Sequence, residues 1–135
     1  MPRVIAIANQ KGGVGKTTTA INLAAALASA DLQILLIDLD PQGNTTSGLG
    51  VDKGALSSSV YQVLTGELEP QAVILPTELD GLALLPANHD LIGATVELVD
   101  VPDRETLLRR VLQPLAEHYD FILVDCPPSL GLLTV

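Results

Sequence analysis

Residues 11–18 read Lys-Gly-Gly-Val-Gly-Lys-Thr-Thr, and no other stretch of the chain limits its fold as tightly. Glycine at 12, 13 and 15 lets the backbone take φ values closed to other residues and wrap closely without Cβ clashes. Just before it lies the apolar run Val4-Ile5-Ala6-Ile7-Ala8. Just after it, Thr17 to Ala30 is alanine-rich, with Ile21, Ala24, Ala25 and Ala28 at helical spacing. Ile34-Leu35-Leu36-Ile37 follows and ends in Asp38-Leu39-Asp40. Short apolar runs without alternation predict strands buried on both faces. Strand, loop, helix, strand is a βαβ unit, expected to cross over right-handed.

Further along, residues 41–56 carry Gly43, Gly48, Gly50 and Gly54 among threonines and serines, which predicts a mobile loop. A short helix is expected around Ser58–Leu64, and short strands at Ala72–Leu75 and Leu82–Leu85. From Asp103 to about Glu117 a helix is expected. Asp103 caps it after Pro102, and Leu107, Leu108, Val111, Leu112 and Leu115 form its stripe. Pro114 should kink or split it. Phe121–Val124 is a third buried strand, ending at Asp125. The fold class is α/β, a mostly parallel sheet flanked by helices, with residues 1–135 in one domain and no repeat or linker. Ser129–Val135 starts another apolar segment, and a parallel sheet needs helices on both faces. The expectation is therefore the N-terminal part of a longer protein, with its sheet incomplete.

Composition removes several functions. With 47% hydrophobic and 17% charged residues the chain is globular rather than disordered. Its aromatics are Tyr61, Tyr119 and Phe121, too few for base-stacking platforms. Seven basic against 16 acidic residues, a net charge of −9, argue against a broad duplex-DNA surface on this stretch. The single cysteine, Cys126, closes no intramolecular disulfide and builds no multi-cysteine metal site, pointing to a cytoplasmic setting. The run Ala20–Ala30 is well short of the roughly 18 residues that span a bilayer, so no membrane partner is expected.

The glycine loop carries the chemistry. A loop between a strand and a helix start aims several N–H groups at one point, where the helix dipole also favours an anion. Residues Lys11, Gly12, Gly13, Val14, Gly15, Lys16, Thr17 and Thr18 are the candidate phosphate cradle. Lys16 can reach the β- and γ-phosphates, and the Thr17 hydroxyl can ligate Mg²⁺. The general P-loop pattern has glycine five residues before Gly15, where this chain has Gln10. The match is to a variant P-loop with an added lysine, Lys11, at its start. Asp125 closes FILVD in the Walker-B manner, at the sheet edge where open α/β folds bind ligands. It can hold the metal, or simply cap the next turn. Asp38 and Asp40 lie two apart and face one side if extended. One can serve the metal and the other a water, or both can be loop solvation.

The segments NQKGGVGKTTTAINLAAALA, LLIDLDPQGN and YDFILVDCPPSLGLLT resemble the deviant Walker-A ATPases of the ParA/Soj partition family along the whole chain. The resemblance implies a P-loop NTPase fold, ATP and Mg²⁺ as ligands, and ATP hydrolysis that switches a dimer used in chromosome or plasmid partitioning. It implies that Lys11 reaches across a nucleotide-sandwich dimer to the partner's phosphates, with Lys16 and Thr17 in the Walker-A roles. Asp38 and Asp40 match the switch carboxylates, Asp40 orienting the attacking water, and Asp125 matches the Walker-B aspartate. A γ-phosphate is expected to order residues 40–50, and its loss to release them. The implied catalytic set is Lys11, Lys16 and Asp40, and the implied metal set Thr17, Asp38, Asp40 and Asp125. Implied partners are a second copy, a ParB-like stimulating protein and non-specific DNA gripped by a C-terminal half not in this sequence, with a nucleoid-associated location. The alternatives are a MinD-like division regulator, disfavoured by Pro41-Gln42, and a nucleotide-binding remnant without turnover. An iron–sulfur carrier needs at least two cysteines per subunit.

Other polar residues read as ordinary. His89 and His118 lack a second ligand at metal spacing, and Cys126 reads as a small buried hydrophobe. Arg109-Arg110 reads as solvated, pairing with residues such as Glu105.

Overall fold

An Ile-Leu-Leu-Ile-Asp run has no polar face to offer water, so it must be covered on both sides. In the computed structural model, which describes residues 3–8, 14–40, 42–88 and 109–126, this run is β2 (Ile34–Asp38) and all of it is buried. Around it lie β1 (Arg3–Ala8), α1 (Val14–Ala28), α2 (Asn44–Gly48), α3 (Val60–Leu64), α4 (Pro70–Val73), β3 (Leu75–Pro76), β4 (Leu82–Leu85) and β5 (Phe121–Cys126). The sheet order is β1-β5-β2-β4-β3. The first four strands in that order run parallel, and β3 pairs antiparallel with β4. The expected α/β class with a mostly parallel sheet is what the chain adopts. β1 and β2, joined through α1, are not neighbours, because β5 lies between them.

Alternate strand residues divide the core in two. Ile34, Leu36, Leu82, Leu84 and Leu123 face α1, whose Ala20, Ala24 and Ala28 form the buried stripe. Alanine at every fourth position lets a helix lie close to the sheet. Ile21 and Ala25, expected on that face, are half-buried at its flanks. On the other side Leu35, Ile37, Leu85, Ile122 and Val124 pack against Val60, Val63, Leu64, Val73, Val111 and Leu115.

Several expectations fail for identifiable reasons. Residues 41–56 are not simply a loop: they hold α2 and a 3-10 turn at Lys53–Ala55. Ala72 and Val73 end a helix, not a strand, because Pro70 fixes φ at its first position. Only Leu75 and Pro76 pair as β3. Val4 is 50% exposed, since β1 has a described neighbour on one side alone. Of the helix expected over 103–117, residues 109–112 are helical and Gln113–Leu115 tighten to 3-10 around Pro114. Residues 103–108 lie outside the described residues, as do His89 and Glu105. The helix near Ser58–Leu64 forms from Val60, with Ser59 and Gln62 making a capping box. Among the described residues no helix is long and apolar enough to cross a membrane.

Candidate functional site

Parallel strands bring their carboxyl ends to one edge, where β2 finishes in Asp38 and β5 in Asp125-Cys126. The register pairs Asp38 directly with Asp125. Neither reaches solvent: Asp38 is 0% exposed and Asp125 1%. Two carboxylates side by side out of water need donors or a cation to be tolerated.

The donors come from the segment just after β2. Asp38 Oδ1 accepts the Asp40 N–H at 3.0 Å. Its Oδ2 accepts both the Thr46 N–H at 3.0 Å and the Thr46 hydroxyl at 2.7 Å. Asp125 Oδ2 accepts the Thr45 hydroxyl. Beyond β4, the Ala87 N–H donates to Thr46 Oγ1 at 3.0 Å. Burial raises the Asp38 pKa to about 6, against the lowering pull of the Thr46 hydroxyl and the two backbone donors, and Asp125 adds a smaller upward push.

Asp40 sits apart from this pair. β2 ends at Asp38, and the chain turns so that Asp40 Oδ1 accepts the Gln42 N–H at 3.0 Å. The Gly43 N–H donates to the Asp40 carbonyl at 2.8 Å, and Lys53 Nζ donates to the Gln42 carbonyl. Asp40 therefore lies in a turn that follows the end of β2. Among the described residues no three His, Cys, Asp or Glu side chains gather as a metal cage.

Residues Val14 to Thr18 open α1, with Thr18 exposed, so the helix starts within the candidate phosphate loop. Lys11, Gly12 and Gly13 lie outside the described residues. Asp38 and Asp125 offer only carboxylate oxygen, the donor type hard divalent cations such as Mg²⁺ take. A cation there would also offset the burial of like charges, so the pair fits the expected metal. Sequence reasoning missed Thr45 and Thr46, both fully buried. Nothing local marks them, because two adjacent threonines in a Gly/Ser/Thr-rich stretch show no apolar period. His118 and the Arg109-Arg110 pair are exposed, as expected.

A family profile described as AAA domain matches residues 2–135. Myxococcus xanthus chromosome partitioning protein ParA is 56% identical over 133 residues, 98% of this chain and 47% of the relative. Bacillus subtilis sporulation initiation inhibitor protein Soj is 49% identical over 135 residues, 100% of this chain and 53% of the relative. The chain thus spans about half the length of the curated relatives it matches. Among solved structures, cobyrinic acid a,c-diamide synthase from Mycobacterium smegmatis, with bound ATP analog and magnesium, superposes with a TM-score of 0.91 at 49% identity. That match covers 99% of this chain and 55% of the other. The septum site-determining protein MinD from Pyrococcus horikoshii, complexed with Mg-ADP, superposes with a TM-score of 0.78 at 30% identity, over 98% of this chain and 54% of the other.

Proposed function

The chain belongs to the family described as AAA domain, and from that membership we propose that it binds ATP with Mg²⁺ and hydrolyses it. In this proposal turnover switches a dimer that serves DNA partitioning. The observation that carries it is the buried Asp38–Asp125 pair on adjacent strands, at the sheet edge the variant P-loop also serves. The partition role is favoured by the names of the ParA and Soj relatives.

Phosphoryl transfer depends on positioning and charge neutralisation more than on covalent help. Residues 12–18 would supply N–H donors to the phosphates at the start of α1, and Lys16 a charge at the β- and γ-phosphates. Thr17, Asp38 and Asp125 would hold Mg²⁺, which when bound neutralises charge on the phosphate oxygens. Asp40, tied into the turn ahead of α2, is the candidate for orienting the attacking water. Lys11 from a second copy would stabilise charge on the transferred phosphoryl group, the task an arginine finger performs elsewhere, so turnover would require dimerisation. A ParB-like stimulator and non-specific DNA are the proposed partners.

Mg-ATP at a hundredfold excess over Kd should stabilise the chain by about 2.7 kcal/mol, a rise of several degrees in Tm. Lys16→Ala should abolish that rise. Lys11→Ala should keep it and lower turnover by roughly a thousandfold, on the scale of a lost arginine finger. A chain whose melting is indifferent to Mg-ATP would overturn the proposal.

A further inference from the structure

We propose that Thr45 and Thr46 are positioning residues for the two metal-side carboxylates, fastening the segment after β2 to the ends of three strands. This rests on the ATP–Mg²⁺ reading of the site. α2 has the sequence Asn-Thr-Thr-Ser-Gly, five residues with no apolar side chain and no side-chain cap. Such a peptide has neither the length nor the hydrophobic face to hold a helix by itself. Yet Thr45 and Thr46 are both 0% exposed while Asn44, Ser47 and Gly48 are exposed. Burying a hydroxyl costs free energy that its hydrogen bonds offset, so those bonds, together with the packing of α2 against α1, keep α2 in place.

The bonds reach three separate strand ends. Thr45 donates to Asp125 at the end of β5, and Thr46 donates to Asp38 at the end of β2. Thr46 also accepts the N–H of Ala87 beyond β4. Each hydroxyl occupies one side of an Oδ2 and thereby fixes the turn of that carboxylate about its own χ angles. The oxygens offered to a cation are then set before it arrives. Coupling of this kind is reciprocal: a cation that draws on Asp38 or Asp125 also alters the hold on α2, and with it the turn containing Asp40.

The test uses the 135-residue chain and four variants, Thr45→Val, Thr46→Val, Thr45→Ser and Thr46→Ser. Mn²⁺ retention with ATP is followed by electron paramagnetic resonance, and metal-free ATP affinity is measured separately in EDTA. Each valine variant should weaken Mn²⁺ by about tenfold or more, the scale of outer-shell metal-site changes, and leave metal-free ATP affinity unaltered. Each serine variant should restore Mn²⁺. Should Thr46→Val fail to fold, Thr45→Val keeps the Asp38 and Ala87 bonds and carries the same expectation. Valine variants that hold Mn²⁺ like the parent, or that lose metal-free ATP equally, overturn the positioning role alone. A parent chain that retains no Mn²⁺ with ATP overturns the site reading itself, and this role with it.

Discussion

β1 and β2 are both short apolar runs, Arg-Val-Ile-Ala-Ile-Ala and Ile-Leu-Leu-Ile-Asp, but the sheet treats them differently. β2 lies between β5 and β4 and is buried throughout, whereas among the described residues β1 pairs with β5 alone and leaves Val4 50% exposed. Burial therefore concentrates on the strand that ends in Asp38. The core and the Asp38–Asp125 pair share β2.

The largest expected effect tests that contrast directly. Leu36→Ala, at a fully buried position between two strands, should destabilise the chain by about 2–5 kcal/mol in urea unfolding. Val4→Ala should cost under about 1 kcal/mol, because its side chain is already half in water. Equal losses would mean that β1 is as central as β2.

Asp38 tests the electrostatic side of β2, with a comparable effect. Its folded pKa, about 6, lies above the ordinary 3.8. The protonated form is thus favoured by folding, and its contribution is fully present below pH 4. As pH rises the unfolded chain ionises first, so metal-free stability falls until about pH 6 and then levels. The loss is on the order of 3 kcal/mol. Asp38→Asn should remove this fall when urea midpoints are compared across pH 4–7. An unchanged pH profile in that variant would show that Asp38 is already ionised without metal.

A smaller effect sharpens how tightly β2 is seated. Gly81 has φ +85°, its carbonyl accepts the Ile34 N–H at 2.7 Å, and a Cβ there would meet the Leu32 carbonyl at 2.8 Å. Gly50 has the same φ with nothing within 4 Å. Gly50→Ala should cost about 1 kcal/mol from backbone strain alone. Gly81→Ala should cost about 2 kcal/mol or more, the excess being the clash that pushes β2 from its place. Thermal melts of the two variants give the difference, and equal shifts would show that the approach at Gly81 relaxes freely.

How much was legible follows the range of each interaction. β2, β4, β5 and most of α1 announce themselves through unbroken apolar runs or helical spacing, because both patterns are local. The helix at Pro70–Val73 was missed because apolar Ala72–Leu75 suits either element, and Pro70 decided it. α2 was missed for a deeper reason: its residues favour a loop by composition, and contacts from outside the segment, with α1 and with Asp38, Asp125 and the Ala87 N–H, hold it in place.

From sequence alone came the α/β class, the loop between β1 and α1, and aspartates closing two apolar strands, since periodicity and glycine spacing act over a few residues. Tertiary structure alone decided that β5, some eighty residues beyond β2, inserts between β1 and β2 and sets Asp125 opposite Asp38. It also decided that Thr45 and Thr46 are drawn beneath solvent to meet them. Strand order is chosen by which faces the whole chain can cover, and a buried carboxylate finds its donors wherever that order puts them.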